Sequence, residues 1–403
     1  MVNIKDIEMG TATANLRLSK IAPNLVQSEI RAMTMECDRV GGVNLAQGVC
    51  DTEVPPPVAA RAIEAIREGS NIYTRLDGIA PLREAIARKL ARDNGLHVDP
   101  ASEVLVTSGA TAGYYAALLA LLDPGDEMVL FEPFYGYHLN TLQALRIKPV
   151  IVPLAPPGAS HDAWALDLER LRAAITPRTR ALLVNSPSNP CGKVFSRAEL
   201  EGIAAIAEEH DLFLFTDEIY EYFVFDGREH ISPATLPGMA ERTVSVSGLS
   251  KTFSITGWRI GYLTASARWM PSIAYFHDLT YVCAPSPFQH GAAAGLLELP
   301  PSFYSGLSSE YQTKRDMLCS ALTVAGLRPS VPAGAYYVLA DVSPLPGATA
   351  KEKARRLLQD RGVAAVAGTA FFQEERGENL LRFCFAKRDE ELKRACDLLQ
   401  GSK

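Results

Sequence analysis

Lys251 stands among small and hydroxylated residues, in the stretch Ser247-Gly248-Leu249-Ser250-Lys251-Thr252-Phe253-Ser254-Ile255-Thr256-Gly257-Trp258-Arg259. The apolar run Val244–Val246 leads straight into it. A lysine that forms a Schiff base must sit where its amine loses a proton more easily than in water. Small neighbours let a flat ligand approach the backbone. Ser247, Ser250 and Arg259 offer hydroxyls and a guanidinium fork suited to a phosphate. A nucleotide P-loop does not fit, because Ser250 rather than glycine precedes Lys251 and no glycine lies five residues before that.

Other residues with chemical potential also follow apolar runs. Asp217 closes Leu212–Thr216 in Thr-Asp-Glu-Ile-Tyr. A carboxylate there either caps a helix or keeps a pyridinium nitrogen protonated so that the ring can accept electrons. Tyr220 lies three residues on and could reach the phenolic oxygen of such a ring. Asn189, in Asn185-Ser186-Pro187-Ser188-Asn189-Pro190-Cys191-Gly192, belongs to a turn or donates an amide hydrogen bond to that same oxygen. Thr107-Ser108-Gly109-Ala110-Thr111 reads as a strand-to-helix turn whose free amides and dipole suit a phosphate. Pro133-Phe134-Tyr135-Gly136-Tyr137 offers an aromatic face for ring stacking. Arg382 is a charge flanked by apolar residues in Leu380–Phe385, and it needs an anion there. A buried ion pair and a bidentate substrate carboxylate both satisfy that need.

These residues need elements to hold them. Apolar runs at Glu103–Val106, Met128–Phe131, Pro149–Val152, Ala181–Val184, Leu212–Phe215 and Arg242–Val246 read as strands. Helical spacing fills most gaps, at Thr111–Leu122, Gly136–Leu145, Leu166–Ala174 and Arg197–His210. The alternation predicts an α/β fold, a mostly parallel sheet flanked by helices, with the site at the carboxyl ends of its strands. Trp258–Leu263 could add an antiparallel strand. Earlier, Pro56 and Pro57 open a helix with Val58, Ala62, Ile63 and Ile66 on one face, and Val43–Gly48 forms a short strand.

The rhythm changes after about residue 300. A helix over Ser308–Ala325 precedes strands at Tyr336–Ala340, Val363–Ala365 and Leu380–Phe385, with helices at 350–361 and 388–400. We therefore expect residues 51–295 to form a large domain and 296–403 a small α+β domain. Residues 1–50 supply an N-terminal arm and part of the small domain.

A chain of 403 residues, 47% hydrophobic and 21% charged, can bury a large core. A net charge of −6 and the lack of any Lys/Arg run argue against nucleic-acid binding. No apolar stretch reaches membrane-spanning length, and the first twenty residues do not read as a signal or transit peptide. Seven scattered cysteines without a Cys-x-x-Cys pair fit reduced thiols in the cytoplasm. Seven histidines without paired spacing give no support to a metal site.

Taken in order, these motifs resemble the class I/II aminotransferases of fold type I over residues ~40 to ~390. The resemblance implies pyridoxal 5′-phosphate as cofactor and Lys251 as its Schiff-base lysine and proton shuttle. It implies Asp217 at the ring nitrogen, Asn189 and Tyr220 at the phenolic oxygen, and Tyr135 stacked on the ring. Arg259 matches the phosphate arginine, and Ser108, Gly109 and Ala110 match the phosphate loop. Arg382 matches the substrate-carboxylate arginine, with Gly48 as the backbone contact beside it. Tyr73 matches a tyrosine lent across a homodimer interface.

Two departures stand out. Gly248 occupies a position where the family often has a hydroxyl, so Ser247 or Ser250 must serve instead. Between Arg268 and Lys314 there is no lysine or arginine for a distal carboxylate, and Thr111 stands where some aspartate-using relatives have lysine. The expected reaction is ping-pong transfer of an amino group from a neutral or aromatic L-amino acid to a 2-oxo acid. The same scaffold also hosts C–S β-lyases. A ligand-sensing regulator is a more distant reading, since no basic helix-turn-helix precedes residue 40.

Overall fold

The computed structural model describes residues 17–22, 29–158 and 163–401. Most of the expected N-terminal arm lies outside the described residues. The chain first builds α1 (Glu29–Val40), β1 (Val43–Asn44), α2 (Pro56–Arg67) and α3 (Ala80–Lys89), the last running on into a π-helical turn over Leu90–Asn94. Strands and helices then alternate: β2 (Val104–Ser108), α4 (Ala110–Leu121), β3 (Glu127–Glu132), α5 (Gly136–Ala144), β4 (Lys148–Pro153), α6 (Leu168–Ala174), β5 (Thr179–Asn185), α7 (Arg197–Glu209) and β6 (Phe213–Asp217). β7 (Thr243–Gly248) and β8 (Ile260–Thr264) complete a sheet of order β2-β8-β7-β6-β5-β3-β4. β8 runs antiparallel to both its neighbours, and the other pairings are parallel.

The continuous apolar strands are explained by two buried faces. Met128, Leu130, Leu183 and Phe215 join a core against α4 and the later helix α8 (Met270–Tyr281). Their alternating neighbours Val129, Phe131, Leu182 and Leu214 join a second core that includes Leu171 of α6 and Leu200 of α7. Helix starts carry their own punctuation. α7 begins in a reciprocal capping box between Ser196 and Glu199, and the Asp167 side chain accepts from the Arg170 amide at the start of α6.

The remaining elements are α9 (Ser286–Glu298), α10 (Pro301–Val324), β9 (Arg328–Ser330), β10 (Tyr337–Asp341), α11 (Ala350–Arg361), β11 (Val363–Ala364), β12 (Val366–Ala367), β13 (Leu380–Cys384) and α12 (Asp389–Gln400). A second, antiparallel sheet has the order β12-β13-β10-β9. β1 pairs in parallel with β11, Val43 opposite Val363 and Asn44 opposite Ala364.

Several expectations are corrected. Helices α8 and α9 were not legible, because α9 is buried almost all round and so lacks a polar face. Residues 363–367 break at Ala365 into two strands with different partners. α10 begins at Pro301, seven residues before the expected Ser308, since proline is tolerated in a first turn. Ile63 and Ile66 are 50% and 47% exposed instead of facing the core with Val58 and Ala62. The strand expected over Val43–Gly48 stops at Asn44. Beyond it, the carbonyls of Leu45, Ala46 and Gly48 accept from Cys384 N, Arg382 Nη2 and Lys251 Nζ. These bonds replace ladder pairing.

Among the described residues no helix is long and apolar enough to cross a membrane, and no cluster of three His, Cys, Asp or Glu side chains is placed to hold a metal ion.

β8 packs directly beneath the turn that joins β2 to α4. A Cβ at Gly261 would come 2.9 Å from Gly109 Cα and closer still to the Ala110 amide. These are backbone atoms and cannot swing aside. Gly261→Ala is therefore expected to destabilise the protein by about 1–3 kcal/mol, read as a lower denaturant midpoint; an unchanged midpoint would contradict this packing.

Candidate active site

The carboxyl ends of β5, β6 and β7 stand side by side, with Asn185 opposite Asp217 and Asp217 opposite Val246. The loop after β7 carries Lys251 back over them, and a cavity of about 360 Å³ opens there. Lys251 Nζ donates to the Gly48 carbonyl at 3.1 Å and lies 5.8 Å from the centre of the Tyr336 ring. Burial pushes its pKa down, and nearby Arg259 adds to that.

Asp217 lines the same cavity, and its Oδ2 is 3.0 Å from His138 Nε2 on α5. An ionised carboxylate only accepts, so the bond assigns the proton to Nε2. His138 is wedged edge-on between Tyr114 and Tyr135, with ring centres at 5.2 and 5.3 Å. The Tyr220 hydroxyl meets that of Tyr337 at 3.0 Å. Burial raises the pKa of both, so both stay protonated donors.

Arg382 enters from β13 and is only 1% exposed. Nη1 donates to Asn189 Oδ1 at 2.8 Å and Nη2 to the Ala46 carbonyl at 2.7 Å. Its guanidinium lies 4.3 Å from the Tyr337 ring centre and 4.7 Å from that of Phe371. Nε has no partner in the described structure, and no described carboxylate pairs with the group. The ion-pair reading of Arg382 is therefore not what is seen. A buried cation held only by neutral dipoles and ring faces leaves its charge for an incoming anion.

The cavity's other end is built for an anion too. Arg259 lines it and donates to the Thr256 carbonyl at 3.1 Å. Facing it are Ala110 and Thr111 in the first turn of α4, where backbone amides lack intrahelical partners. Gly109 allows this closeness: its φ is +79°, and a Cβ would come 2.8 Å from Arg259 Cζ. Ser250 lines the cavity, whereas Ser247 does not, its hydroxyl being bonded to the Glu218 carbonyl at 3.4 Å. Ser108 and Gly109 lie behind the lining, with the Ser108 amide bonded to His277 Nε2 at 3.2 Å.

Of the residues singled out from sequence, Lys251, Asp217, Tyr220, Asn189, Tyr135, Ala110, Ser250, Arg259, Arg382 and Gly48 share this cavity. Tyr73 does not; it is 79% exposed on the loop before α3. His138, Tyr337 and Arg31 line the cavity without having been anticipated. His138 sits one helical turn after Tyr135, a spacing that could have drawn attention to it.

A family model described as aminotransferase class I and II matches residues 40–399. The chain belongs to the class I and II aminotransferases. It is 40% identical over 373 residues to a protein named probable N-succinyldiaminopimelate aminotransferase from Mycobacterium tuberculosis, covering 90% of this chain and 93% of that one. It is 34% identical to human kynurenine–oxoglutarate transaminase 1, covering 88% and 90% respectively. The solved structure of the mycobacterial N-succinyldiaminopimelate aminotransferase superposes with a TM-score of 0.91 at 37% identity, covering 96% of this chain and all of that one. The protein is a fold-type I aminotransferase, and its cofactor is pyridoxal 5′-phosphate. The cavity fits that cofactor, with a buried amine for its aldehyde, a carboxylate for its ring nitrogen, and an arginine facing free helix amides for its phosphate.

His277 supports the turn at the anion end of this aminotransferase. Its pKa is pushed down to about 4 by burial, against the opposing pull of Asp278. Between pH 6.5 and 4 the unfolded chain takes up a proton that folded His277 refuses. This contribution to stability is intact above pH 6.5 and is lost as pH falls toward 4. At 1.36 kcal/mol per unit the loss is roughly 3 kcal/mol. Denaturant unfolding across this range should show the slope, and His277→Gln should flatten it; an equally steep variant would reject the assignment.

Proposed function

We propose that this aminotransferase moves the amino group of a neutral or aromatic L-amino acid to a 2-oxo acid in two half-reactions at one cavity. The observation that carries the reading is the buried Arg382, which has a carboxylate-sized demand and no carboxylate of its own. It would grip the α-carboxylate, with Gly48 beside it. Tyr135, Tyr137, Val49 and Ile219 offer an aromatic and apolar wall for the side chain.

Pyridoxal phosphate, when bound, supplies an aldehyde that condenses with amines and a ring that accepts the electrons left when Cα loses its proton. The rest falls to this chain. Lys251 Nζ, brought toward neutrality by burial, would hold the cofactor covalently, then take the Cα proton and return it to the neighbouring carbon. Asp217, steadied by His138, would keep the ring nitrogen protonated. Asn189, whose Oδ1 is committed to Arg382, has its amide hydrogens left to donate to the phenolic oxygen beside Tyr220. Tyr135 would stack on the ring. Arg259, Ser250 and the amides of Ala110 and Thr111 would hold the phosphate, with Ser108 and Gly109 shaping the turn.

Two organisational features belong to the same reading. The pairing of β1 with β11 supports grouping residues 1–50 with 296–403 as a small domain beside a large one over 51–295. Exposure of the large apolar and aromatic side chains Ile63, Ile66 and Tyr73 supports a homodimer in which Tyr73 serves the partner's cavity. Seven unpaired cysteines support a reducing, cytoplasmic setting.

Amino acids added singly to the holoenzyme, with no 2-oxo acid present, should convert pyridoxal absorbance to pyridoxamine absorbance. Neutral and aromatic donors should respond fastest. A strong preference for aspartate would sink the donor assignment, and ammonia release without conversion would favour the lyase. Lys251→Ala should lower turnover by roughly 10²–10⁴-fold; near-wild-type turnover would remove Lys251 from the mechanism. Mixing Lys251→Ala subunits with Tyr73→Ala subunits should restore activity, because one site per hybrid regains both residues. No recovery after verified subunit exchange would rule out the lent tyrosine.

A further inference from the structure

Gln289 lies in α9 with no exposed surface, yet it does not line the cavity. Its side chain is fully engaged. Oε1 accepts from the Ile79 amide at 2.8 Å, and Nε2 donates to Thr74 Oγ1 at 3.2 Å and to the Ala284 carbonyl at 2.9 Å. The Ile79 amide can only donate and the Ala284 carbonyl only accept, so the side-chain amide has one orientation. Two of these bonds grip the ends of the segment 74–79, which leads into α3. Its middle is held separately. The Asp77 carbonyl accepts from the Val106 amide of β2 at 3.1 Å, and the Asp77 carboxylate meets Arg83 at 3.3 Å. Gly78 permits the close passage, since a Cβ there would come 2.9 Å from Gln289 Oε1 and nearer still to the Val106 side chain. Tyr73 stands just outside this clamp. It is exposed and makes no hydrogen bond or ring contact with any described residue. On one side of it Asn71 Nδ2 donates to the Ile66 carbonyl at 3.1 Å; on the other, the first tie to another element is the bond between Thr74 and Gln289.

We propose that Gln289 is a positioning residue that acts across the dimer: by holding Thr74, it aims Tyr73 of its own chain into the partner's cavity. The inference rests on the reading of Tyr73 as a lent residue. A side chain that crosses to another subunit receives little packing from its own, so its direction is set by the backbone that carries it. Without the Gln289 amide the Thr74 end is free to rotate, and fewer molecules hold the tyrosine in place at any moment. On this route α9 governs the other subunit's site. A competing route within the chain runs through the neighbouring Phe288, which stacks on Trp258 at 4.7 Å beside Arg259. The two routes differ in which site suffers.

Hybrid dimers separate them. One subunit carries Lys251→Ala with Gln289 intact, and the other carries Gln289→Ala with Lys251 intact. The Gln289→Ala homodimer should lose about 10-fold in kcat/KM, the worth of one buried hydrogen bond. In the purified hybrid, the site that keeps Lys251 borrows Tyr73 from the subunit with intact Gln289, so its kcat/KM per site should return to the wild-type value. A hybrid site still slowed about as much as the homodimer would overturn the proposal. Binding gives a readout without turnover. When the apoenzyme is titrated with pyridoxal phosphate, Gln289→Ala and Tyr73→Ala should each weaken binding, and the double variant should bind no more weakly than Tyr73→Ala alone. Additive losses would put Gln289 outside the Tyr73 route and reject the proposal. Thr74→Val leaves the bonds to Ile79 and Ala284 in place and should repeat both results, which keeps the test decisive should Gln289→Ala not fold; wild-type binding and turnover in Thr74→Val would equally overturn it. The hybrid of Lys251→Ala with Tyr73→Ala distinguishes the two failures. Recovery there without recovery in the Gln289 hybrid rejects this inference alone, whereas failure of both rejects the lent tyrosine and this inference with it.

Discussion

A guanidinium cannot shed its proton, so burying Arg382 commits the fold to a charge taken out of water. Much of the cavity's construction answers that constraint. The chain after β1 leaves the ladder so that the Ala46 carbonyl can accept from Nη2. The turn after β5 turns Asn189 toward Nη1, and the rings of Tyr337 and Phe371 lie close against the group. Each partner is neutral. A carboxylate in their place would have cancelled the charge and closed the site to an anionic substrate.

Lys251 shows the opposite response to the same environment. An ammonium can lose its proton, and burial lowers its pKa instead of demanding a counter-charge. One cavity thus holds a permanent cation and an amine whose charge can adjust. Asp217 and its His138 partner supply the negative end, and Arg259 with the α4 amides supplies another positive one. These groups line one cavity at the carboxyl ends of a sheet whose two apolar faces leave little freedom for the strands to shift.

Much of this was legible in the chain itself. Apolar runs with helical spacing between them mark β2 to β7, and residues at or a few positions beyond the ends of five of these strands, Ala110, Tyr135, Asn189, Asp217 and Lys251, meet in the cavity. Legibility failed where local pattern is silent. α9 has no polar face because helices α2 and α3 pack against it, so its periodicity vanished. The stretch 363–367 looked like one strand because nothing local shows that its halves pair with β1 and β13. Tyr337 and Arg31 have no local signal of their own, and His138 has only its spacing from Tyr135; the structure sets His138 against Asp217, Tyr337 against Arg382 and Arg31 in the cavity lining.

The sequence by itself carried the resemblance to the class I and II aminotransferases, because the motifs around Lys251, Asp217, Asn189, Arg259 and Arg382 keep their types and order without coordinates. The tertiary structure decided which of Ser247 and Ser250 lines the cavity, the neutrality of every Arg382 partner, and the presence of Arg31 in the lining. The reason is distance along the chain. Arg382 bonds a carbonyl 336 positions away and an amide 193 positions away. Periodicity reports which way a side chain leaves its own element; only packing between elements determines what it meets.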